Sequence, residues 1–257
     1  MLRLARDEIH LWFVYCDEIA DTALLARYRR LLSNAETEQE LRFHAPADRH
    51  RYLLTRALVR TVLSRYSPLP AESWIFANDR HGRPHIANQG PGVADICFNI
   101  SHTRGLVLLG ITSQAALGVD VESIRERTPA LELAERYFSH AEARSLRALP
   151  PGAQLARFFD FWTLKESYIK ARGKGLSIPL DGFGFGIRGQ QLSFEVRPEL
   201  GDDAGRWRFW LLSPSAGYIT AVCAGRAAAG EQVLITRKTV PLSDELDLHC
   251  TELGKSP

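Results

Sequence analysis

The segment Phe161–Trp162–Thr163–Leu164–Lys165–Glu166–Ser167–Tyr168–Ile169–Lys170 places a carboxylate where a helix would bury aromatic rings. Turned at ~100° per residue, it gathers Leu155, Phe158, Phe159, Phe161, Trp162, Leu164, Tyr168 and Ile169 into one apolar arc. Glu166 falls in that arc between Leu155 and Phe159, and Lys165 between Phe158 and Phe161. Lys170 lies beside Glu166 on the polar edge. A carboxylate half-sunk in an aromatic face is costly unless a cation meets it. A Glu166–Lys170 pair at i,i+4 is the plainest answer and contributes only ~0.3–0.5 kcal/mol. Such pairs normally belong to a solvated face.

A second acidic group stands in Gly118–Val119–Asp120–Val121–Glu122. Side chains alternate in a strand, so Val119 and Val121 share one face while Asp120 and Glu122 share the other. Two neighbouring carboxylates repel unless water or a cation intervenes. Taken alone they read as a solvated acidic face. Taken with Glu166 they form a set of hard oxygen donors that suits Mg²⁺, which completes its shell with phosphate oxygens and water. Asn99–Ile100–Ser101–His102–Thr103 adds a histidine flanked by hydroxyls, able to donate to a phosphate or to serve a structural role. Arg83, in the turn His81–Gly82–Arg83–Pro84, is a candidate for a bidentate phosphate contact or a solvated turn residue, and Arg51 lies on an Arg/His-rich helix face. No Walker A, Gly-x-Gly-x-x-Gly, His-Glu-x-x-His or Gly-x-Ser-x-Gly element occurs.

The chain has 257 residues, 45% apolar and 24% charged, with a formal net charge of +2. This is the composition of a soluble globular protein, with no basic field that would call for nucleic acid. Met1 to Tyr15 lacks the apolar core of a signal peptide, and no stretch approaches ~20 uninterrupted apolar residues, so no membrane role is expected. Cys16, Cys97, Cys223 and Cys250 lie far apart and fit neither a zinc site nor a disulfide framework. The expected location is the reducing cytoplasm.

The elements that must position these residues follow from pattern. Glu8 to Tyr15 reads as a strand, Glu36 to about Tyr66 as one or two helices, and Arg80 to Pro84 as a turn. Strands are expected at Ile96–Ile100, Gly105–Thr112 and Leu117–Glu122, then a helix from Ala130 to Leu149 and another from Gln154 to Arg172. Further strands are expected at Phe194–Val196, Trp207–Leu212 and Tyr218–Ala224. A repeat runs through this plan: Ser101-x-x-x-Gly105 before Leu-Val-Leu-Leu recurs 112 positions on as Ser213-x-x-x-Gly217 before Tyr-Ile-Thr-Ala. It implies an α+β fold of two similar halves, 1–115 and 116–236, with a ligand cleft between them. A polar tail, 237–257, is expected to be loosely attached or disordered.

In order and spacing, three motifs resemble those of the 4′-phosphopantetheinyl transferases of the surfactin-synthetase-activating type: Asn99 to His102, Gly118 to Glu122, and Trp162 to Lys170 followed by Gly173–Lys174–Gly175. That resemblance spans roughly Leu2 to Gly225. It implies a pseudo-twofold pair of α+β halves with coenzyme A between them. It implies Mg²⁺ held by Asp120, Glu122 and Glu166, and attack by a serine of an apo acyl or peptidyl carrier protein, releasing 3′,5′-ADP. Glu166 would take the serine proton and Lys170 would steady the bridging oxygen, with His102 as the third member of the catalytic set. Ser101, His102, Arg83, Lys170 and Arg51 would contact coenzyme A. The family's N-terminal lysines are replaced by Ala35–Glu36–Thr37–Glu38–Gln39–Glu40, which shifts the nucleotide grip toward arginines. A Mg²⁺-dependent nucleotide pyrophosphohydrolase and a catalytically silent carrier-binding module are the competing readings. The first would favour a further glutamate-rich helix, and the second would leave the three acids no reason to persist. An internally duplicated chain is expected to be a monomer.

Overall fold

The computed structural model describes residues 1–90, 92–93, 95–114, 116–125, 128–227 and 231–257. In chain order these form β1 (Glu8–Tyr15), α1 (Thr22–Arg29), α2 (Asn34–Arg42), α3 (Pro46–Leu63), β2 (Phe76–Asn78), β3 (Pro84–Ile86), β4 (Cys97–Thr103) and β5 (Leu106–Thr112). There follow β6 (Leu117–Ser123), α4 (Ala130–Tyr137), α5 (His140–Arg147), α6 (Pro151–Arg172), β7 (Phe183–Arg188), β8 (Gln191–Val196), β9 (Trp207–Ser213) and β10 (Tyr218–Gly225). The last strands are β11 (Val233–Val240), β12 (Asp244–Asp247) and β13 (Thr251–Lys255). The chain divides into two compact units. The first comprises Met1–Asp79, Pro84–Gln114 and Glu231–Leu248, and the second Arg80–Arg83, Ala115–Gly230 and His249–Pro257.

In the first unit the strand order is β12-β11-β1-β5-β4. Helix α3 turns Leu53, Leu54, Leu58 and Val62 onto Trp12, Val14, Val107, Leu109 and Ile111 of the sheet. The expected helical region from Glu36 breaks before Pro46, which has no amide hydrogen to donate and so starts α3 rather than continuing α2. Helix α1, absent from the sequence reading, begins at Asp21, whose side chain accepts from the amides of Ala23 and Leu24.

In the second unit the order is β6-β10-β9-β13-β8-β7. The aromatic face of α6 packs Phe158, Phe161, Leu164 and Tyr168 with Phe183, Phe185, Phe209 and Leu211. The single helix expected from Ala130 to Leu149 is two. Ser139 and Glu142 form a capping box that starts a new helix, α5, after Phe138. Strand β7 was not anticipated; its Gly-Phe-Gly sequence lacks the branched residues that mark a strand.

Each unit repeats one plan: a strand, a helix that covers the sheet, then a hairpin whose second strand pairs antiparallel with the first. In the first unit these are β1, α3 and β4–β5. In the second they are β6, α6 and β9–β10. The Ser-x-x-x-Gly elements are the two hairpin turns, with Gly105 and Gly217 at φ 81 and 87. The α+β class with two similar sheet-bearing subdomains agrees with the sequence expectation.

The tail does not. Residues 237–257, expected to be loose, include the end of β11 and the whole of β12 and β13. Strand β11 pairs parallel with β1, and β13 lies between β9 and β8. The charges that made the segment look unstructured have aromatic partners. The Arg237 guanidinium lies 5.1 Å from the Trp12 ring, and the Lys238 ammonium 5.0 Å from that of Tyr15. No helix among the described residues is long and apolar enough to cross a membrane.

Candidate active site

Helix α6 meets β6 backbone to backbone. A Cβ placed on Gly118 would stand 1.9 Å from the Ser167 carbonyl oxygen and 2.4 Å from the Ala171 amide nitrogen. Only glycine fits there. Val119 and Val121 are buried, while Gly118, Asp120 and Glu122 alternate onto the α6 side as the strand period requires. The close approach brings Lys170 to Asp120, its ammonium donating to Oδ1 at 2.7 Å. Asp120 is buried, and the Lys170 side chain stays 26% exposed. About two helical turns toward the N-terminus, the Trp162 indole N–H donates to Glu122 Oε1 at 3.2 Å. Its ring stacks on Phe158 with centroids 5.9 Å apart.

Glu166 is held in an electrostatically unfavourable setting. Burial raises its pKa above the ordinary carboxylate value, the Asp120 charge raises it further, and Lys170 only partly offsets them. The i,i+4 explanation is therefore incomplete, because the Lys170 ammonium is also engaged across the interface by Asp120. Lys165, the other charge in the aromatic arc, has a separate life. It is fully buried and donates to the carbonyls of Leu180 and Phe183, each at 2.7 Å, and it pairs with Glu142 at 2.8 Å. Glu142 in turn accepts from the amides of Ser139 and Phe185. Sequence reasoning saw the lysine but not its partner, which lies 23 residues earlier in α5.

Asp120, Glu122 and Glu166 match the oxygen donor chemistry of a hard divalent cation, and the mutual repulsion of Glu166 and Asp120 is the kind a cation relieves. Among the described residues, however, no three His, Cys, Asp or Glu side chains are grouped so that they could hold a metal ion. The carboxylates repel one another, and the Lys170 ammonium supplies the positive charge at Asp120. The donor set matches Mg²⁺ by oxygen type, and Asp120 and Glu122 share one strand face.

The other expected site residues are distributed as follows. The two terminal nitrogens of Arg83, a second-unit residue, donate to the carbonyls of Lys170 and Leu117, each at 2.9 Å. Ser101 and His102 lie within β4 of the first unit, Ser101 buried and His102 exposed. Arg51, also in the first unit, pairs with Asp48 at 2.6 Å. The acidic N-terminal stretch is structural. Burial would raise the Glu36 pKa, but Arg56 and Arg60 outweigh it and hold the carboxyl below its usual range. Arg56 Nε donates to it at 2.6 Å and Arg60 Nη2 at 2.7 Å. Glu40 accepts from Arg29 at 3.0 Å.

Comparison with known proteins identifies the family. The model of the 4′-phosphopantetheinyl transferase superfamily matches residues 116–223, and that of the 4′-phosphopantetheinyl transferase N-terminal region matches 21–114. The chain is 34% identical to the 4′-phosphopantetheinyl transferase Sfp of Bacillus subtilis, over 87% of this chain and 95% of that one. It is 31% identical to the 4′-phosphopantetheinyl transferase HetI of Nostoc sp., over 68% and 73% of the two chains. The chain belongs to the 4′-phosphopantetheinyl transferase superfamily.

Within this superfamily member, the glycine, the acids of β6 and the Lys-Glu helix are one packing unit rather than separate signatures. Gly118→Ala is expected to push α6 off β6 and destabilise the protein by at least ~1–3 kcal/mol, read as a lowered thermal midpoint. Native stability in that variant would show that the close approach is not required.

Glu166 gives a pH-dependent expectation. Its folded pKa lies above the ordinary 4.5, so the folded state holds a proton that the unfolded state has released. Metal-free stability should then fall as pH rises from the ordinary value through the raised one. Glu166→Gln has no such proton. Its stability relative to the native protein should rise across that window in chelator-containing buffer. Asp160, whose carboxyl burial pushes up to about 6, is present in both proteins and cancels in the difference. A pH-independent difference would remove the strain assigned to Glu166.

Proposed function

We propose that the chain transfers 4′-phosphopantetheine from coenzyme A to a serine of an apo acyl or peptidyl carrier protein. One observation carries the residue-level reading: Glu166, pushed up by burial and by Asp120, stands next to the Asp120–Lys170 contact. A carboxylate with a raised pKa is a stronger base than an ordinary one. It takes the serine proton as the Oγ attacks the phosphorus that bears pantetheine. The bond from that phosphorus to the bridging oxygen breaks, and 3′,5′-ADP leaves with the electron pair. Lys170 supports the charge that grows on the bridging oxygen. Asp120, Glu122 and Glu166 would hold Mg²⁺, which supplies charge neutralisation at the pyrophosphate when bound. The assignments of Ser101, His102, Arg83 and Arg51 to coenzyme A rest on the family resemblance. We place the protein in the cytoplasm as a monomer acting on carrier proteins, with neither nucleic acid nor membrane as a partner.

The reaction is tested by incubating the protein with coenzyme A, Mg²⁺ and several purified apo carrier proteins. The expected result is a phosphopantetheine mass increase on a carrier serine. Release of 3′,5′-ADP without that increase would point to hydrolysis instead, and no turnover at all would point to a silent binding module. Asp120→Ala and Glu122→Ala should each abolish transfer. Glu166→Gln should slow it ~100- to 10,000-fold through loss of the base. Native turnover in the glutamine variant would end both roles of Glu166. His102→Ala should weaken coenzyme A binding by roughly ten- to a hundredfold, the equivalent of one charge-assisted hydrogen bond. Calorimetric titration with unchanged affinity would take His102 out of the site.

A further inference from the structure

We infer that Arg83 is a positioning residue for Lys170, acting as a clamp that fixes the end of α6 against the start of β6. The inference rests on the proposed transfer reaction for its kinetic consequence, but its geometry is independent of any ligand. Arg83 follows Gly82, whose φ of 83 makes the tight turn, and precedes Pro84, which restricts the arginine's own backbone. Nη1 donates to the carbonyl of Lys170 and Nη2 to that of Leu117, both at 2.9 Å. Each acceptor occupies a telling place. Lys170 is the residue whose ammonium reaches Asp120, and its carbonyl also receives a 3.2 Å bond from the Gly173 amide at the end of the helix. Leu117 directly precedes Gly118, where helix and strand backbones touch, and β6 is the edge strand of its sheet.

One rigid guanidinium therefore spans both sides of the helix–strand contact at Gly118. It sets the distance at which the Lys170 side chain meets the acidic strand. Gly173 borders the same group: its φ is 64, and a Cβ there would lie 3.4 Å from Nη1. The helix cap thus leaves the guanidinium its slot. Lysine cannot replace this fork. Its single ammonium carries the charge that a phosphate would recognise but cannot hold two diverging carbonyls in fixed geometry. Charge and clamp are separable for that reason.

The test compares Arg83→Lys and Arg83→Ala with the native protein. The readouts are coenzyme A affinity by calorimetry, kcat for carrier-protein modification, and amide hydrogen exchange at Arg172 and Gly173. The clamp requires that Arg83→Lys lose about ten- to a hundredfold in kcat, the range expected for a small misplacement of a catalytic group. It also requires faster exchange in the last turn of α6 in both variants. A lysine variant with native kcat and native exchange, beside an alanine variant that is weak only in coenzyme A binding, would overturn the clamp and leave a phosphate contact. Native exchange in both variants overturns it whatever the kinetics. If the native chain modifies no carrier protein, the reaction reading fails, and the exchange measurement still decides the clamp.

Discussion

The contact of α6 with β6 at Gly118 is the constraint on which the site depends. Ordinary helix-on-sheet packing keeps two backbones apart by a layer of interdigitating side chains. Here the layer is missing at one point, because Gly118 has nothing to put there and Ser167 and Ala171 present backbone to it. A short aspartate on the strand can then meet a lysine from the helix in a buried setting. The energetic logic is local: an ion pair is strengthened when water is excluded from one partner, and Asp120 is the excluded one. The same approach puts Glu166 near enough to Asp120 for like charge to matter.

The two charges of the aromatic arc show how one helix treats burial in opposite ways. Lys165 is fully compensated, by a carboxylate and two carbonyls, with the Phe183 ring 4.4 Å from its ammonium. Burying such a pair contributes little net stability, whereas removing one partner would strand the other. It locks α5, α6 and the start of β7 in register. Among the described residues Glu166 has no comparable set of neutralising partners, and burial with the Asp120 charge outweighs Lys170. A residue that is satisfied in the folded state has nothing left to do in a reaction. One that is held in an unfavourable state can be relieved by a cation or a proton. This contrast, rather than proximity in sequence, separates the satisfied charge from the strained one.

What the sequence disclosed was set by local periodicity. β1 and the face assignment of β6 were legible because alternation is a property of neighbouring residues. The Glu166 arc was legible because a helix repeats within a few residues. Partners far apart in the chain were not. Glu142 gave no hint that it would meet Lys165, and Arg83 gave none that its fork would close on two carbonyls rather than remain in solvent. The break at Ser139 was readable in principle, since Ser139-x-x-Glu142 is a capping box, but the continuous helical pattern from Ala130 outweighed it. The tail misled for a related reason. Arg237 and Lys238 look solvated in one dimension, and only the sheet reveals that β1 offers them aromatic rings.

The duplicated plan also explains why the acids stand where they do. Trp12 pairs with Leu109 on β5, and Asp120 pairs with Ala221 on β10. Leu109 and Ala221 are separated by the same 112 positions that relate the two hairpin turns. By the same register His10 is the counterpart of Gly118, and Val14 that of Glu122. In the first unit, then, the positions of Gly118, Asp120 and Glu122 hold an imidazole, an indole and a branched aliphatic chain. His10 fills the place where the second unit has no side chain at all. Its ring bonds the hydroxyl of Tyr66, just beyond the end of α3, at 2.6 Å, and that hydroxyl also accepts from Trp12. A side chain at this position keeps the helix at ordinary packing distance, so the next position inward must be filled by bulk. A glycine there lets the helix descend, leaving room only for a short polar group. One residue near the start of each unit's first strand thus bears on how closely the helix approaches that strand.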